Sequence, residues 1–201
     1  MNRPDPSAPS SIPGYDYGTP GSAVSSVTER DLSELEQAAG WTARDAEVLA
    51  RHADVFRANA ESMVDAWRSV IGSQPHLSRW FVGPDGKPDD EYKMSIKRRF
   101  VQWVIDAAVR PHDQDWLNYQ QEIGLRHTPA KKNKTDAADT PPLVPFRYLL
   151  GFIPVVLPIR GFFKDAIQDE AELNKLQEAW TKAVLLHVTL WSRAYVAEDL
   201  W

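Results

Sequence analysis

The chain has 201 residues, 43% of them hydrophobic, and no cysteine. That is enough apolar material for one sizeable core in a single domain, and the missing thiols exclude disulfides, iron–sulfur clusters and thiolate-ligated haem and fit a reducing cytoplasm. With 23 Lys and Arg against 28 Asp and Glu the formal charge is −5, which argues against a general nucleic-acid or anionic-membrane binder and serves solubility.

Residues 1–27 are rich in Pro, Ser and Gly, which predicts a loop or disorder unless another surface holds them. Ile12, Tyr15 and Tyr17 are the apolar exceptions. The opening MNRPDPSAPSS has no apolar run of the kind a secretory signal needs, so the expectation is no export by that route and a mature chain starting near Met1. Thr28 and Thr42 suit helix N-caps and Gly40 a stop between them, predicting a short leading helix and a second one.

The helical spacing of Phe56, Ala60, Met63, Val64, Trp67 and Ile71 predicts a long helix over about Ala53–Gly72. A turn-rich piece with Pro75, His76 and Leu77 and the strong turn Gly83-Pro84-Asp85-Gly86 follow. The stripe Tyr92, Ile96, Phe100, Trp103, Val104 and Ala107 predicts another helix over about Asp90–Val109, closed by Pro111. Trp116, Tyr119, Ile123 and His127 are then spaced by three, four and four residues, so a helix places them on one face. Gly124 allows close approach there and Pro129 ends the helix just beyond. An imidazole at the end of such a stripe can be aimed into an apolar cavity, as a neutral haem ligand must be. On spacing alone a packed core histidine is the commoner explanation.

Residues 128–142 read as a polar loop, and Lys131, Lys132 and Lys134 within it as a solvated patch. The run 143–163 carries Arg147, Arg160 and several prolines, which makes a poor membrane span and predicts a fully buried helix over about 145–163, kinked at Pro154 and Pro158. A last helix over about 169–197 aligns Leu173, Leu176, Trp180, Ala183, Val184, His187 and Trp191, with His187 a core residue that needs a hydrogen-bond partner. No alternating run competes, so the fold class is all-α. The zinc, nucleotide and calcium motifs HExxH, paired CxxC, GxxxxGK[ST] and the calcium loop do not occur, and the scattered carboxylates nominate no acid–base pair.

In order along the chain, Ile12-Pro13-Gly14-Tyr15-Asp16-Tyr17-Gly18, Trp67 before Ile71-Gly72-Ser73, Pro75-His76-Leu77, Pro84-Asp85-Gly86, Arg98-Arg99-Phe100 and Glu122-Ile123-Gly124-Leu125-Arg126-His127 with Lys131-Lys132-Asn133 resemble the protoglobins. These are single-domain haem proteins related to the sensor domains of globin-coupled sensors. The resemblance implies an expanded globin-like helical sandwich over residues 28–201, with residues 1–27 as an extension that covers the haem edge. It implies haem b held by His127, a distal side formed by Trp67 and Phe100 next to Ile96, and a wall from Leu149, Phe152 and Val156. For the haem carboxylates, Arg99 and Tyr119 are the expected partners. It also implies a homodimer through the last two helices.

Two departures from the family pattern stand out. Arg68 follows the distal tryptophan where the family has tyrosine, and Thr128 follows the ligand histidine where the family has a second histidine. A guanidinium is always charged and offers several donors, so Arg68 is expected to donate to bound ligand, pair with a haem carboxylate or snorkel to solvent. The family proline in the penultimate helix also falls one residue later than Pro154. The function expected is reversible binding of O2, CO or NO for gas binding, sensing or detoxification, with no nucleic-acid or membrane partner. Turnover at the iron as an NO dioxygenase, nitrite reductase or peroxidase is the second expectation, and a haem-free helical interaction protein the third.

Overall fold

The computed structural model describes residues 12–201. They form helices α1 (Glu29–Ala39), α2 (Ala43–Arg51), α3 (Ala53–Gly72), the short α4 (Pro75–Ser78), α5 (Asp90–Val109), α6 (Gln114–Leu125), α7 (Phe146–Val156), the short α8 (Arg160–Phe163) and α9 (Glu170–Ser192). Among the described residues there is no strand beyond an isolated bridge between Val82 and Pro88.

Local chemistry sets the helix ends. The Thr28 hydroxyl accepts from the Asp31 backbone N–H while the Asp31 carboxylate accepts from the Thr28 N–H, a reciprocal cap on otherwise orphaned donors. The Thr42 N–H and the Asp45 carboxylate are 2.8 Å apart. Asp89, Asp113 and Asp169 cap α5, α6 and α9, and Gly40 ends α1 in the left-handed region. α3 and α5 occupy the spans expected from their apolar stripes.

Packing builds one large core from α2, α3, α5, α8 and α9, with Phe56, Met63, Trp67, Val104, Leu176 and Trp180 fully or almost fully buried. Each such side chain contributes about 1.5–3 kcal/mol relative to exposure. Trp180 forms the centre: its ring lies 5.3 Å from Phe56, 6.4 Å from Trp67 and 5.6 Å from Trp103, and its indole N–H donates to the Val156 carbonyl at 2.9 Å.

Three expectations are corrected. The run 143–163 is not a fully buried helix: Leu149 and Val156 are buried but Leu150 is 45% exposed, and only 22% of Phe146–Phe163 is buried, although the segment is long and apolar enough to suit a membrane span. Nor is it continuous, because the chain breaks at residues 157–159 around Pro158. Gln177 of α9 stabilises the break, donating to the Leu157 carbonyl at 2.8 Å and accepting from the Ile159 N–H at 3.1 Å. Finally, the last helix ends at Ser192 rather than near 197. Tyr195 there turns inward, and its hydroxyl donates to the Val144 carbonyl at 2.8 Å.

Residues 12–27 are held against the bundle. The Tyr15 hydroxyl donates to Asp106 at 2.5 Å, the Ala23 N–H to Glu122 at 2.9 Å and the Ser25 N–H to Asn118 at 2.9 Å. Gly14 turns with φ 69°, and a Cβ there would sit 2.7 Å from the Arg99 guanidinium and from Thr135. Both the turn and the close approach require glycine.

Candidate haem-type cavity

α5, α6, α7 and α9 enclose a cavity of about 240 Å³ whose lining is largely apolar. Since about 10–15 Å³ suffices for one water, this space suits a sizeable organic group. α5 presents Tyr92, Ile96, Arg99, Phe100 and Trp103, α7 presents Leu149, Phe152, Ile153 and Val156, and α9 presents Val184, Val188 and Trp191. Tyr119 and Ile123 enter from α6, and His127 from just beyond its end.

His127 is not on the helix. α6 stops at Leu125, and the His127 N–H bonds back to the Gly124 carbonyl at 3.1 Å, so His127 sits just past the helix end while its ring lines the same cavity as Tyr119 and Ile123. Its Nδ1 is 2.8 Å from the Ile123 carbonyl oxygen. A carbonyl only accepts, so Nδ1 carries the hydrogen and Nε2 keeps its lone pair. The ring stacks 6.1 Å from Trp191. Burial, aided by the nearby Lys132 and Arg126 charges, holds its pKa below the ordinary histidine value, so the imidazole is neutral. The Ile123 contact opposes that shift without reversing it.

Eight of the ten sequence-predicted site residues meet in this cavity: Ile96, Arg99, Phe100, Tyr119, His127, Leu149, Phe152 and Val156. Trp67 and Arg68 do not line it. Trp67 stands behind Phe100, its ring 5.5 Å from the phenylalanine, and so supports that wall rather than forming it. Arg68 points away, donating to the Lys93 carbonyl at 3.2 Å with Asp65 at 4.0 Å. One turn of helix carries both residues, and the side facing the core is already filled by the tryptophan.

The polar lining lies where α5 and α6 meet the loop that follows His127. Arg99 makes a two-pronged bond to Asp136 at 2.9 and 2.6 Å and donates to the Pro13 carbonyl at 2.9 Å. Arg126 donates to Asp16, Glu122 and the Gly14 carbonyl. Glu122 is buried, yet its carboxyl is held below the usual range: desolvation acts to raise it and is outweighed by Lys131 and Arg126. Tyr119 is buried beside Tyr15 and Tyr17, with ring centroids 5.2 and 5.5 Å away, and burial raises its pKa.

Sequence reasoning missed Lys132. Expected on a solvated loop, it is 3% exposed and lines the cavity. The only sequence signal was the family-like Lys131-Lys132-Asn133, because burial arises when the loop folds back over the residues following α4. His187 is also buried, and its Nδ1 accepts from the Trp103 indole N–H at 3.1 Å, the partner a core histidine requires.

No match is found among curated proteins. Among solved structures the chain is similar to the globin domain of the Geobacter sulfurreducens globin-coupled sensor, at 17% identity with a TM-score of 0.65, over 82% of this chain and 97% of that one. That likeness establishes a globin-like fold, which the all-helical architecture shares. A family profile described as Protoglobin matches residues 28–201, the span that contributes every residue of the cavity, and with most of its length matched the chain belongs to the protoglobin family.

Proposed function

We propose that this chain holds haem b through the Nε2 of His127 and binds O2, CO or NO reversibly. The observation that carries the reading is the commitment of His127 Nδ1 to the Ile123 carbonyl, which leaves Nε2 a neutral nitrogen with a free lone pair on a ring that lines an apolar cavity. Histidine ligands are oriented in this way, and the bond raises the basicity of the ligating nitrogen. When bound, haem supplies an iron centre able to coordinate a small diatomic molecule.

The chain's own residues do the rest. Ile96, Phe100, Phe152 and Val156 exclude water from the cavity, and Trp67 fixes the Phe100 ring from behind. Tyr119 lines the same space, and burial keeps its hydroxyl protonated. Residues 12–25 act as a lid, supported by their bonds to Arg99, Arg126, Asp106, Glu122 and Asn118; the part of this lid expected over residues 1–11 lies outside the described residues. On this reading residues 28–201 are the haem domain and residues 1–27 its extension. Exposed Leu150 on α7 and Leu185 on α9 support a homodimer through the last helices. The cysteine-free composition supports a cytoplasmic setting.

The test is the visible spectrum of the purified protein, ferric and ferrous, with and without CO. The expected result is a stoichiometric haem spectrum that shifts on adding CO to the ferrous form. Failure to acquire haem on addition overturns the reading.

A further inference from the structure

Four cations gather at the loop end of the cavity, and three are neutralised. Arg99 is paired with Asp136, Arg126 with Asp16 and Glu122, and Lys131 with Glu122. Lys132 differs. Its ammonium donates to the Trp80 carbonyl at 2.9 Å, to the Thr140 hydroxyl at 2.7 Å and, more distantly, to the Asn133 side-chain oxygen at 3.4 Å. All three acceptors are neutral. The faces of Tyr92 and Phe81 flank it, with ring centres 5.1 and 6.0 Å from Nζ.

Hydrogen bonding is thus satisfied but charge is not. A buried cation without a counter-ion is costly, and burial pushes Lys132 down to about 8 with no carboxylate nearby to restore it. It therefore still carries its charge near pH 7. The longest of its three bonds, to Asn133, is the one an incoming anion displaces at least cost. The aromatic faces steady the cation without neutralising it, so an uncompensated positive field is directed into an apolar, weakly screening cavity.

We propose that Lys132 is the carboxylate-binding group of the cavity, supplying the counter-charge for a propionate of the bound haem. The inference rests on the haem reading above and replaces Arg99, whose guanidinium Asp136 already neutralises, as the principal ionic partner. Arg99 then serves the loop and the lid, tying Asp136 to Pro13.

The experiment compares haem with haem dimethyl ester, in which both carboxylates are blocked, on the full chain reconstituted with each. Dissociation is followed by transfer to an excess of a haem acceptor, for the wild type, Lys132→Gln and Lys132→Arg. The wild type is expected to lose the ester about 10- to 100-fold faster than haem, the span of one charge-assisted bond. Lys132→Gln should lose most of that preference, and Lys132→Arg should retain it. An undiminished preference in Lys132→Gln places the carboxylate elsewhere and overturns the proposal. So does equal acceleration for both porphyrins, which would give Lys132 a purely loop-folding role. If Lys132→Gln does not fold, as judged by circular dichroism, the wild-type ratio and Lys132→Arg decide: a ratio near one, or its loss in the charge-preserving variant, overturns the proposal. Failure of wild type to bind either porphyrin is a different result, which overturns the haem reading itself.

Discussion

The imidazole of His127 is anchored to the carbonyl of Ile123, four residues earlier and still within α6, through a 2.8 Å bond from Nδ1. This fixes the ring's tautomer and direction at once, and it makes His127 the residue on which cofactor binding should depend. His127→Ala is expected to abolish stable haem binding or leave a weakly held haem rescued by added imidazole, whereas His187→Gln should retain the wild-type spectrum. The opposite pattern in visible spectra would reverse the assignment.

Gly124 sits where α6 crosses the end of α9. A Cβ there would lie 3.0 Å from the Trp191 carbonyl oxygen and 3.2 Å from its Cα, atoms that cannot rotate aside. Overpacking costs about 1–3 kcal/mol and helix propensity returns about 1 kcal/mol, so Gly124→Ala should destabilise by up to about 2 kcal/mol in urea unfolding. Because the Gly124 carbonyl also accepts from the His127 N–H, haem loss should accelerate in parallel. A more stable variant would show that the helices separate freely.

Arg68 is bonded to Lys93 and faces away from the cavity. Arg68→Ala is expected to change O2, cyanide and CO dissociation by small and similar factors, and stability by within about 0.5 kcal/mol. A selective rise in O2 and cyanide release of tenfold or more, with CO unaffected, would mean that the side chain swings inward.

Deleting residues 1–18 removes the Tyr15–Asp106 bond and the Pro13, Gly14 and Asp16 partners of Arg99 and Arg126. The ordering entropy recovered, about 1–2 kcal/mol per residue of backbone, offsets much of the loss. The net expectation is about tenfold faster haem transfer to an acceptor, equivalent to about 1.4 kcal/mol. An unchanged rate would remove the lid role.

His187 gives stability a pH dependence. Burial depresses it to about 3 from 6.5, so below pH 6.5 the unfolded chain takes up a proton that the folded chain refuses. Its contribution is complete above pH 6.5 and is lost as pH falls from there toward about 3. His187→Gln keeps an acceptor for Trp103 but does not titrate. Unfolding free energies at pH 6.5 and 5 should therefore fall less steeply for the variant than for the wild type, and equal slopes would exclude His187 as a source.

The sequence alone determined the helices whose signals are local. α3 and α5 end where their apolar stripes end, Thr28 and Gly40 bracket α1, and the all-α class follows because periodicity and caps act over a few residues. The family resemblance brought eight of the cavity residues into one list. Tertiary structure decided which side chains meet there. Trp67 and Phe100 both carry apolar signals, and only the packing of α3 against α5 and α9 puts the phenylalanine in front and the tryptophan behind. α6 ends at Leu125, close to the stop that Pro129 signals, but the bond that orients the His127 ring and the cavity it lines belong to the folded chain. Lys132 reads as any loop lysine until Trp80 and Thr140, 52 and 8 residues away in sequence, close around it. Burial and charge compensation are properties of the folded neighbourhood rather than of the residue, so no local pattern can carry them.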